Sequence, residues 1–81
     1  MKATVKLFAA ARDLAGGEQI IVELLAGATV GDLREQMRQQ CPALASLLAH
    51  AMFAVDATYT TDETCVPANA EIACIPPVSG G

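Results

Sequence analysis

Residues 2–9, Lys-Ala-Thr-Val-Lys-Leu-Phe-Ala, alternate small or aliphatic side chains with mostly polar ones. A period of two is the spacing of a β-strand with one buried face, so the odd-numbered positions from Ala3 to Ala9 are predicted to point into a core. Phe8 then falls on the opposite face beside Lys6. An aromatic ring on a polar sheet face is typical of a contact site, although a loop folded over Phe8 fits the pattern equally well.

A helical turn and a second strand are predicted next along the chain. Residues 10–14 carry the helical pattern, and Gly16-Gly17 interrupts it. Residues 18–25, Glu-Gln-Ile-Ile-Val-Glu-Leu-Leu, are rich in β-branched side chains and lie between glycines, which indicates a strand that forms a hairpin with the first. The long connection contains Arg12 and Asp13, for which a solvated ion pair is the ordinary interpretation.

The main helix is predicted to begin at Thr29, because Asp32 follows it three residues later in the pattern of a capping box. Apolar residues then recur at helical spacing and form one stripe. The stripe consists of Val30, Leu33, Met37 and Cys41, and it leaves Arg34, Glu35, Arg38 and Gln39 for solvent. Pro42 is expected to end the helix, and residues 44–48 to form a shorter helical piece.

The second half of the chain predicts three more extended segments. Residues 52–55 form a strand with Phe53 and Val55 on one face, and a turn follows at residues 56–57. Residues 58–63 resemble an edge strand that runs into a loop, with Tyr59 exposed.

The last strand is predicted over residues 71–75, with Ile75 facing away from the core. The order of strand, strand, helix, strand, strand indicates an α+β fold with one covering helix. If the last strand pairs parallel with the first, Phe8 and Ile75 share the uncovered face and form an apolar patch.

Composition excludes several classes of function. The 81 residues suffice for one domain, and nine acidic against five scattered basic residues give a net charge of −4, which argues against nucleic-acid binding and suits a partner with a basic cleft. No apolar run approaches a membrane span and no signal peptide precedes the first strand, so a cytoplasmic location is expected. No Cys/His cluster is present, and we expect no metal or cofactor. The three cysteines are expected to be small buried hydrophobes: Cys41, Cys65 and Cys74.

The last six residues, Pro-Pro-Val-Ser-Gly-Gly over 76–81, are predicted to form an extended tail on a domain that spans 1–75. Two prolines prevent a return to the sheet interior. The absence of side chains at Gly80 and Gly81 would let a carboxylate enter a narrow channel about 20 Å from the fold. The same composition is typical of a frayed terminus, and the segment alone leaves both interpretations open.

Together these features resemble the ubiquitin-like β-grasp sulfur carriers, and most closely the molybdopterin synthase small subunits among them. The resemblance covers the whole chain. It implies an α+β, ubiquitin-like β-grasp fold, with a mixed four- to five-stranded sheet, one main helix and a flexible C-terminal diglycine tail. The segments that carry it are Val-Lys-Leu-Phe-Ala at 5–9, Ala-Arg-Asp-Leu-Ala-Gly at 11–16, Thr-Val-Gly-Asp-Leu at 29–33 and Ile-Pro-Pro-Val-Ser-Gly-Gly at 75–81.

What the resemblance implies is a carrier whose working group is the carboxylate of Gly81. An ATP-dependent activating enzyme would adenylate that carboxylate, and sulfur from a donor such as a cysteine desulfurase or a rhodanese would convert it into a thiocarboxylate. The tail would then enter the large subunit of molybdopterin synthase, in a heterotetramer of two small and two large subunits. There it would donate sulfur to cyclic pyranopterin monophosphate. The chain would need no cofactor and would not be catalytic alone.

The resemblance also assigns partner-binding residues. Phe8 and Ile75 correspond to interface positions of the family, Tyr59 to an apolar one and Arg12 to a basic one. Cys74 stands where an aromatic residue is common, and Tyr59 where an aliphatic one is common. The tail completes the expected partner-binding set with Pro76, Pro77, Val78, Ser79 and Gly80.

Other functions share parts of this pattern. A sulfur carrier for thiamine, cysteine or tRNA thiolation would use the same terminal chemistry. A ubiquitin-like modifier would instead join its diglycine to target lysines through an isopeptide bond. A β-grasp binding module with an inert tail would use only the apolar face.

Overall fold

The computed structural model describes residues 1–77, so the predictions made for Val78, Ser79, Gly80 and Gly81 lie outside the described residues. The strands are β1 Lys2–Leu7, β2 Gln19–Glu23, β3 Met52–Val55, β4 Thr58–Tyr59 and β5 Ile72–Ile75. The helices are α1 Ala9–Ala15, α2 Val30–Gln40 and α3 Ala45–Leu48, and a 3₁₀ turn, Pro42–Leu44, connects α2 to α3. The five strands form one sheet in the order β2-β1-β5-β3-β4.

The first and last strands pair parallel inside this sheet, which is the condition under which the sequence places Phe8 and Ile75 on the same face. Val5 lies opposite Ile72 and Leu7 opposite Cys74. β2 is antiparallel to β1, and β3 is antiparallel to both β4 and β5. The mixed sheet with α2 packed on it confirms the predicted α+β architecture.

The core lies between α2 and one face of the sheet. The alternation of β1 is confirmed, because Ala3, Val5 and Leu7 are buried and their neighbours are exposed. The apolar stripe of α2 is buried as predicted up to Met37, whereas Cys41 lies just beyond the helix end and is half-buried. The largest fully buried side chains are Phe53, Leu33, Met37, Leu44, Leu48 and Ile72.

The predicted capping box of α2 is present. The Asp32 N–H donates to the Thr29 hydroxyl at 3.2 Å, and the Thr29 N–H donates to the Asp32 carboxylate at 2.9 Å. The N–H of Gly31 donates to the carbonyl of Asp62 at 2.9 Å. A Cβ added at Gly31 would lie only 3.3 Å from that carbonyl, so glycine lets the loop after β4 pack against the helix start.

Arg34 ties α2 to two loops and is half-buried, contrary to the prediction that it faces solvent. Its guanidinium donates to the carbonyls of Leu48 and Ala51, the second at 2.8 Å. It also donates to Asp62 at 2.8 Å and lies 5.1 Å from the centroid of the Phe53 ring. The planar guanidinium can satisfy all these partners at once because its donors form a fixed fork.

Two predicted element boundaries are wrong. Ala9 is exposed and starts α1, because the chain turns there with a φ of 48° and the alternation of β1 stops. The shorter helical piece begins at Pro42 with the 3₁₀ turn and not at residue 44, because proline is compatible with the first position of a helical segment. Pro42 follows the end of α2 as predicted, and β4 runs into a turn from Thr61 to Thr64, as predicted for an edge strand that runs into a loop.

A two-residue turn joins β3 to β4, and a substitution at its second residue is expected to stabilise the protein. Asp56 and Ala57 have φ values of 49° and 67°, the left-handed conformations of a type I′ turn. Because alanine is strained there and glycine is not, we expect Ala57→Gly to raise the free energy of unfolding by about 1 kcal/mol. Chemical denaturation measures this change. At Ala49, where φ is −58°, the same substitution should lower stability, and equal effects at the two positions would contradict the prediction.

Candidate functional site

The candidate site lies on the face of the sheet opposite α2. Alternate residues of β1 point to that face, and they are exposed where their neighbours are buried. Ile21 of β2 lies opposite Thr4 on the same face and is 52% exposed. The open face therefore combines polar positions with exposed apolar ones. A separate observation is that none of the helices within residues 1–77 has the length and apolar character of a membrane span.

Three apolar side chains form a row across this face at the end of the sheet. Met52 pairs with Ile75 between β3 and β5. Leu7 pairs with Cys74 between β1 and β5, and Phe8 continues β1 in an extended conformation, which brings it beside Ile75. Met52 is 48% exposed, Phe8 is 46% exposed and Ile75 is half-buried. We call Met52, Ile75 and Phe8 the apolar row.

A second row crosses the sheet next to the apolar row. Tyr59, 64% exposed, lies opposite Ala54, which in turn lies opposite Ala73. Ala73 pairs with Lys6, whose ammonium group lies 3.1 Å from the Glu71 carboxylate. The structure therefore brings the predicted residue Tyr59 to the same face as Phe8 and Ile75, one row away from them.

Arg12 lies in α1 at the edge of this face. Arg12 and Phe8 line the same depression of about 220 Å³. The predicted ion pair between Arg12 and Asp13 does not form within residues 1–77, because neighbouring residues of a helix point in different directions.

The chain leaves the sheet directly from the apolar row. Pro76 is half-buried and Pro77 is exposed, and both follow Ile75 without an intervening turn. The prolines have no N–H to donate to a neighbouring strand, so the sheet ends at Ile75. A protein that covers the apolar row would therefore lie beside the start of the last six residues.

Met52 is the site residue that the sequence analysis missed. The pattern contains its signal, because Phe53 and Val55 share one face of the strand and a period of two places Met52 and Ala54 on the other. The pairing of Met52 with Ile75 depends on which strand becomes the neighbour of β5. That information is not contained in the pattern of β3 alone.

The cysteines differ in exposure, and the prediction that all three are buried is wrong for Cys65. Cys74 is buried in the core, and burial raises the pKa of its thiol to about 11. Cys65 is exposed, because the adjacent Val66 takes the inward position. Among residues 1–77, no three His, Cys, Asp or Glu side chains come together in a group that could hold a metal ion.

This difference predicts selective alkylation. At mildly alkaline pH, iodoacetamide should modify Cys65 in the native protein and leave Cys74 unmodified, because the thiolate is the reactive form and burial suppresses it at Cys74. Mass spectrometry of proteolytic peptides measures the extent of labelling at each thiol. Denatured protein is the control, in which all three cysteines should react. Equal labelling of Cys65 and Cys74 in the native state would contradict the burial of Cys74.

The fold and the open face define the class of the protein. Its α+β sheet with one main covering helix is the ubiquitin-like β-grasp fold. The crystal structure of SAMP1 from Haloferax volcanii has the same fold, with a TM-score of 0.86, 28% sequence identity and 100% coverage of both chains.

The family follows from the sequence comparisons. Residues 5–81 match the model of the ThiS family, and the chain belongs to this family. It is 34% identical over 77 residues to the molybdopterin synthase sulfur carrier subunit of Arabidopsis thaliana, covering 95% of this chain and 80% of that protein. It is 36% identical over 83 residues to the protein of the same name from Chlamydomonas reinhardtii, with 100% of both chains covered. The resemblance to molybdopterin synthase sulfur carriers is thus confirmed.

Proposed function

We propose that this chain carries sulfur for molybdopterin synthase on the carboxylate of Gly81. An ATP-dependent activating enzyme joins AMP to that carboxylate and releases pyrophosphate. The outer sulfur of a persulfide on a donor such as a cysteine desulfurase or a rhodanese then displaces AMP and forms an acyl disulfide. A second thiol attacks the donor's sulfur in that acyl disulfide, which forms a disulfide with the donor and releases the thiocarboxylate. The thiocarboxylate donates its sulfur to cyclic pyranopterin monophosphate in the active site of the large subunit.

One observation supports this proposal above the others. The apolar row lies at the end of the sheet from which the Pro-Pro-Val-Ser-Gly-Gly segment departs. When a partner binds Met52, Ile75 and Phe8, the six-residue tail thus limits how far the terminal carboxylate can lie from that contact. Such tethering raises the effective concentration of a reacting group without any catalytic side chain in the carrier.

The chemistry suits a chain without catalytic groups of its own. A carboxylate is a poor electrophile until adenylation supplies AMP as a leaving group, and the acid and base groups for that step belong to the activating enzyme. Cys74 is buried with a raised pKa, so it is a poor candidate for the sulfur-bearing group.

The proposed partners follow from the names of the relatives and from the open face. We infer that the large subunit of molybdopterin synthase covers the apolar row, in an assembly of two small and two large subunits. Tyr59 and Arg12 border this contact, and the residues from Pro76 to Gly80 guide the tail into the active site. The activating enzyme and the sulfur donor use the same tail in turn. We place these reactions in the cytoplasm.

The docking role of the apolar row can be measured directly. Phe8→Ala and Ile75→Ala should each weaken binding to the large subunit by about 30-fold, because central apolar anchors contribute most of the binding free energy. Met52→Ala should weaken it by about 10-fold. Isothermal titration calorimetry with the large subunit gives these affinities.

The matched control for docking is Ile21→Ala. Ile21 is as exposed as Phe8 and Met52 and lies on the same face, but it belongs to the edge strand β2. Its substitution should leave the affinity unchanged. If Ile21→Ala weakens binding as much as Phe8→Ala does, the contact is spread over the whole face and the apolar row has no special role.

Mass spectrometry of the protein purified from its host tests the carrier function. A fraction of the chains should be heavier by the difference between sulfur and oxygen, and fragmentation should locate that difference at Gly81. Incubation with the large subunit and cyclic pyranopterin monophosphate should remove it. A loaded chain that keeps its sulfur in this incubation, but loses it to another acceptor, would indicate a carrier for thiamine, cysteine or tRNA thiolation.

The second candidate function is that of a ubiquitin-like modifier. It is favoured by the likeness to SAMP1, the small archaeal modifier protein 1 of Haloferax volcanii. Sulfur carriers and modifiers both begin with adenylation, and they differ in the group that attacks the activated carboxyl. A modifier would leave its terminal glycines attached to lysines of other proteins. Peptide mass spectrometry for such lysines, in cells with and without Gly81, distinguishes the two functions. Isopeptide-linked targets without any thiocarboxylate would overturn the carrier proposal.

A further inference from the structure

A groove of about 620 Å³ lies at the end of the sheet opposite the apolar row. Its walls come from the segment after β2, which includes Leu25 and Ala26, and from the first turns of α2. It opens where β1 begins and β2 ends, whereas Phe8 follows the other end of β1. The six residues of β1 separate the two surfaces by about 20 Å. A protein seated in this groove would leave the apolar row and the tail accessible.

Leu25 lines this groove. With 86% of its surface accessible, it is the most exposed large apolar residue among residues 1–77. A hydrogen-bonded turn holds it in place: the Ala28 N–H donates to the Leu25 carbonyl at 3.0 Å, and Gly27 supplies the positive φ of 85°. On either side the backbone is tied down, from Leu24 to Met1 at 2.8 Å and from Val66 to Ala28 at 2.8 Å. Because the backbone at Leu25 is already held in one place, binding would cost the conformational entropy of its side chain but little of its backbone.

The polar part of the groove is acidic. Glu23, Asp32 and Glu35 line it, and the cationic group among its described lining residues is the terminal amine of Met1. Glu35 is already paired with Arg38, which lowers the pKa of its carboxyl to about 2, and Asp32 accepts the N–H of Thr29 in the capping box, so Glu23 is the carboxylate left for an occupant. The carboxylate of Glu23 is largely exposed, and its nearest cation is the terminal amine at 4.0 Å. An occupant that carries a positive charge would therefore gain a charge-assisted contact at the rim.

We propose that this groove is a second docking site, and that it binds a partner segment in which a basic side chain lies next to an apolar one. The apolar side chain packs on Leu25 and Ala26, and the basic one contacts Glu23. A second copy of this chain does not fit the groove by itself, because a two-fold contact would bring two acidic rims together. This inference does not depend on the identity of the sulfur acceptor, and it allows a partner to hold the carrier while another works on its tail.

The proposal is tested by titrating the full chain with a synthetic amphipathic helical peptide that has leucine on one face and lysine on the other. The spectrum of the ¹⁵N-labelled full chain should change at the amides of Leu25 to Ala28 and at Glu35, and it should stay unchanged at Phe8 and Ile75. Added salt should weaken the binding, because the rim contacts are electrostatic. A control peptide with glutamate in place of lysine should cause no change.

Two variants and one matched control complete the experiment. Leu25→Ser and Glu23→Gln should each weaken the peptide affinity by about 10-fold, because each removes one half of the proposed contact. Ile21→Ser should leave the affinity unchanged, because Ile21 is an exposed apolar residue of β2 that does not line the groove. Melting temperatures should be the same in all three variants, since these side chains are exposed.

Several outcomes would overturn the proposal. They are the absence of spectral changes at millimolar peptide, equal affinity in Leu25→Ser, or changes centred on the apolar row. None of them bears on the carrier function, which the thiocarboxylate measurement tests separately. Conversely, a chain that never carries sulfur but binds the peptide through Leu25 would keep this inference and remove the proposed function.

Discussion

A variant with one additional alanine after Gly81 is expected to form no thiocarboxylate and to lose sulfur transfer by at least about 100-fold. The added residue displaces the terminal carboxylate by a full residue length, and displacements smaller than this are enough to cost about two orders of magnitude in rate. Deletion of Gly81 should cause a similar loss, because it withdraws the carboxylate by the same length. Mass spectrometry and the production of molybdopterin by the reconstituted synthase measure both losses.

Stability and docking separate this loss from a general defect. The buried core residues lie between Ala3 and Cys74, so the melting temperature should be the same in the extended variant and in the original chain. The affinity for the large subunit should fall less than the activity, because the apolar row is intact. Ile21→Ala, which keeps the tail, the terminal diglycine and the apolar row, is the control and should remain active. Full activity of an extended chain that stays untrimmed would exclude Gly81 as the sulfur-bearing residue.

Replacement of Arg34 by alanine should lower the free energy of unfolding by about 3 kcal/mol. The substitution removes charge-assisted hydrogen bonds to two carbonyls and leaves both carbonyls without this donor. It also removes the contacts with Asp62 and with the ring of Phe53. In a domain of this size the melting temperature should fall by about 15 °C. Arg34→Lys should cause a smaller loss, because an ammonium group keeps the charge but cannot match the fork of the guanidinium.

Arg38→Ala is the control for this prediction. Arg38 lies one turn further along α2, and its ion pair with Glu35 is exposed to solvent. Exposed pairs contribute little to stability, so the melting temperature should hardly change. Thermal unfolding followed by circular dichroism compares the two variants. Similar effects of Arg34→Ala and Arg38→Ala would mean that the hydrogen bonds of Arg34 to the loops contribute nothing specific.

The sequence predicts most of the fold because its local signals agree with one another. The period of two in residues 2–7 and the capping box at Thr29 depend only on neighbours a few residues apart, and the structure confirms both. The order of the elements leaves the last strand one sheet to join, and its parallel pairing with β1 is established only by the structure. The exposure of Phe8 follows from the period of two, and that of Tyr59 follows from the polar run of residues 58–63.

Other features depend on long-range contacts that a local pattern does not contain. Arg34 occupies a polar position of an amphipathic helix. It is half-buried and hydrogen-bonded only because Ala51 and Asp62, which are distant in sequence, lie next to it. Met52 gains its place in the apolar row from the pairing of β3 with β5. Cys65 is exposed because its strand-like segment meets Thr29 in a single bridge, with Val66 facing inward.

The position of β5 between β1 and β3 has a consequence for protein synthesis. The ribosome makes β1 first and β5 near the end, so the strand that joins the two halves of the sheet is missing until almost the whole chain exists. Contacts between such distant segments form late, after the intervening loop has closed. A chain that ends before β5 therefore cannot present the apolar row to other proteins, because it lacks Ile75.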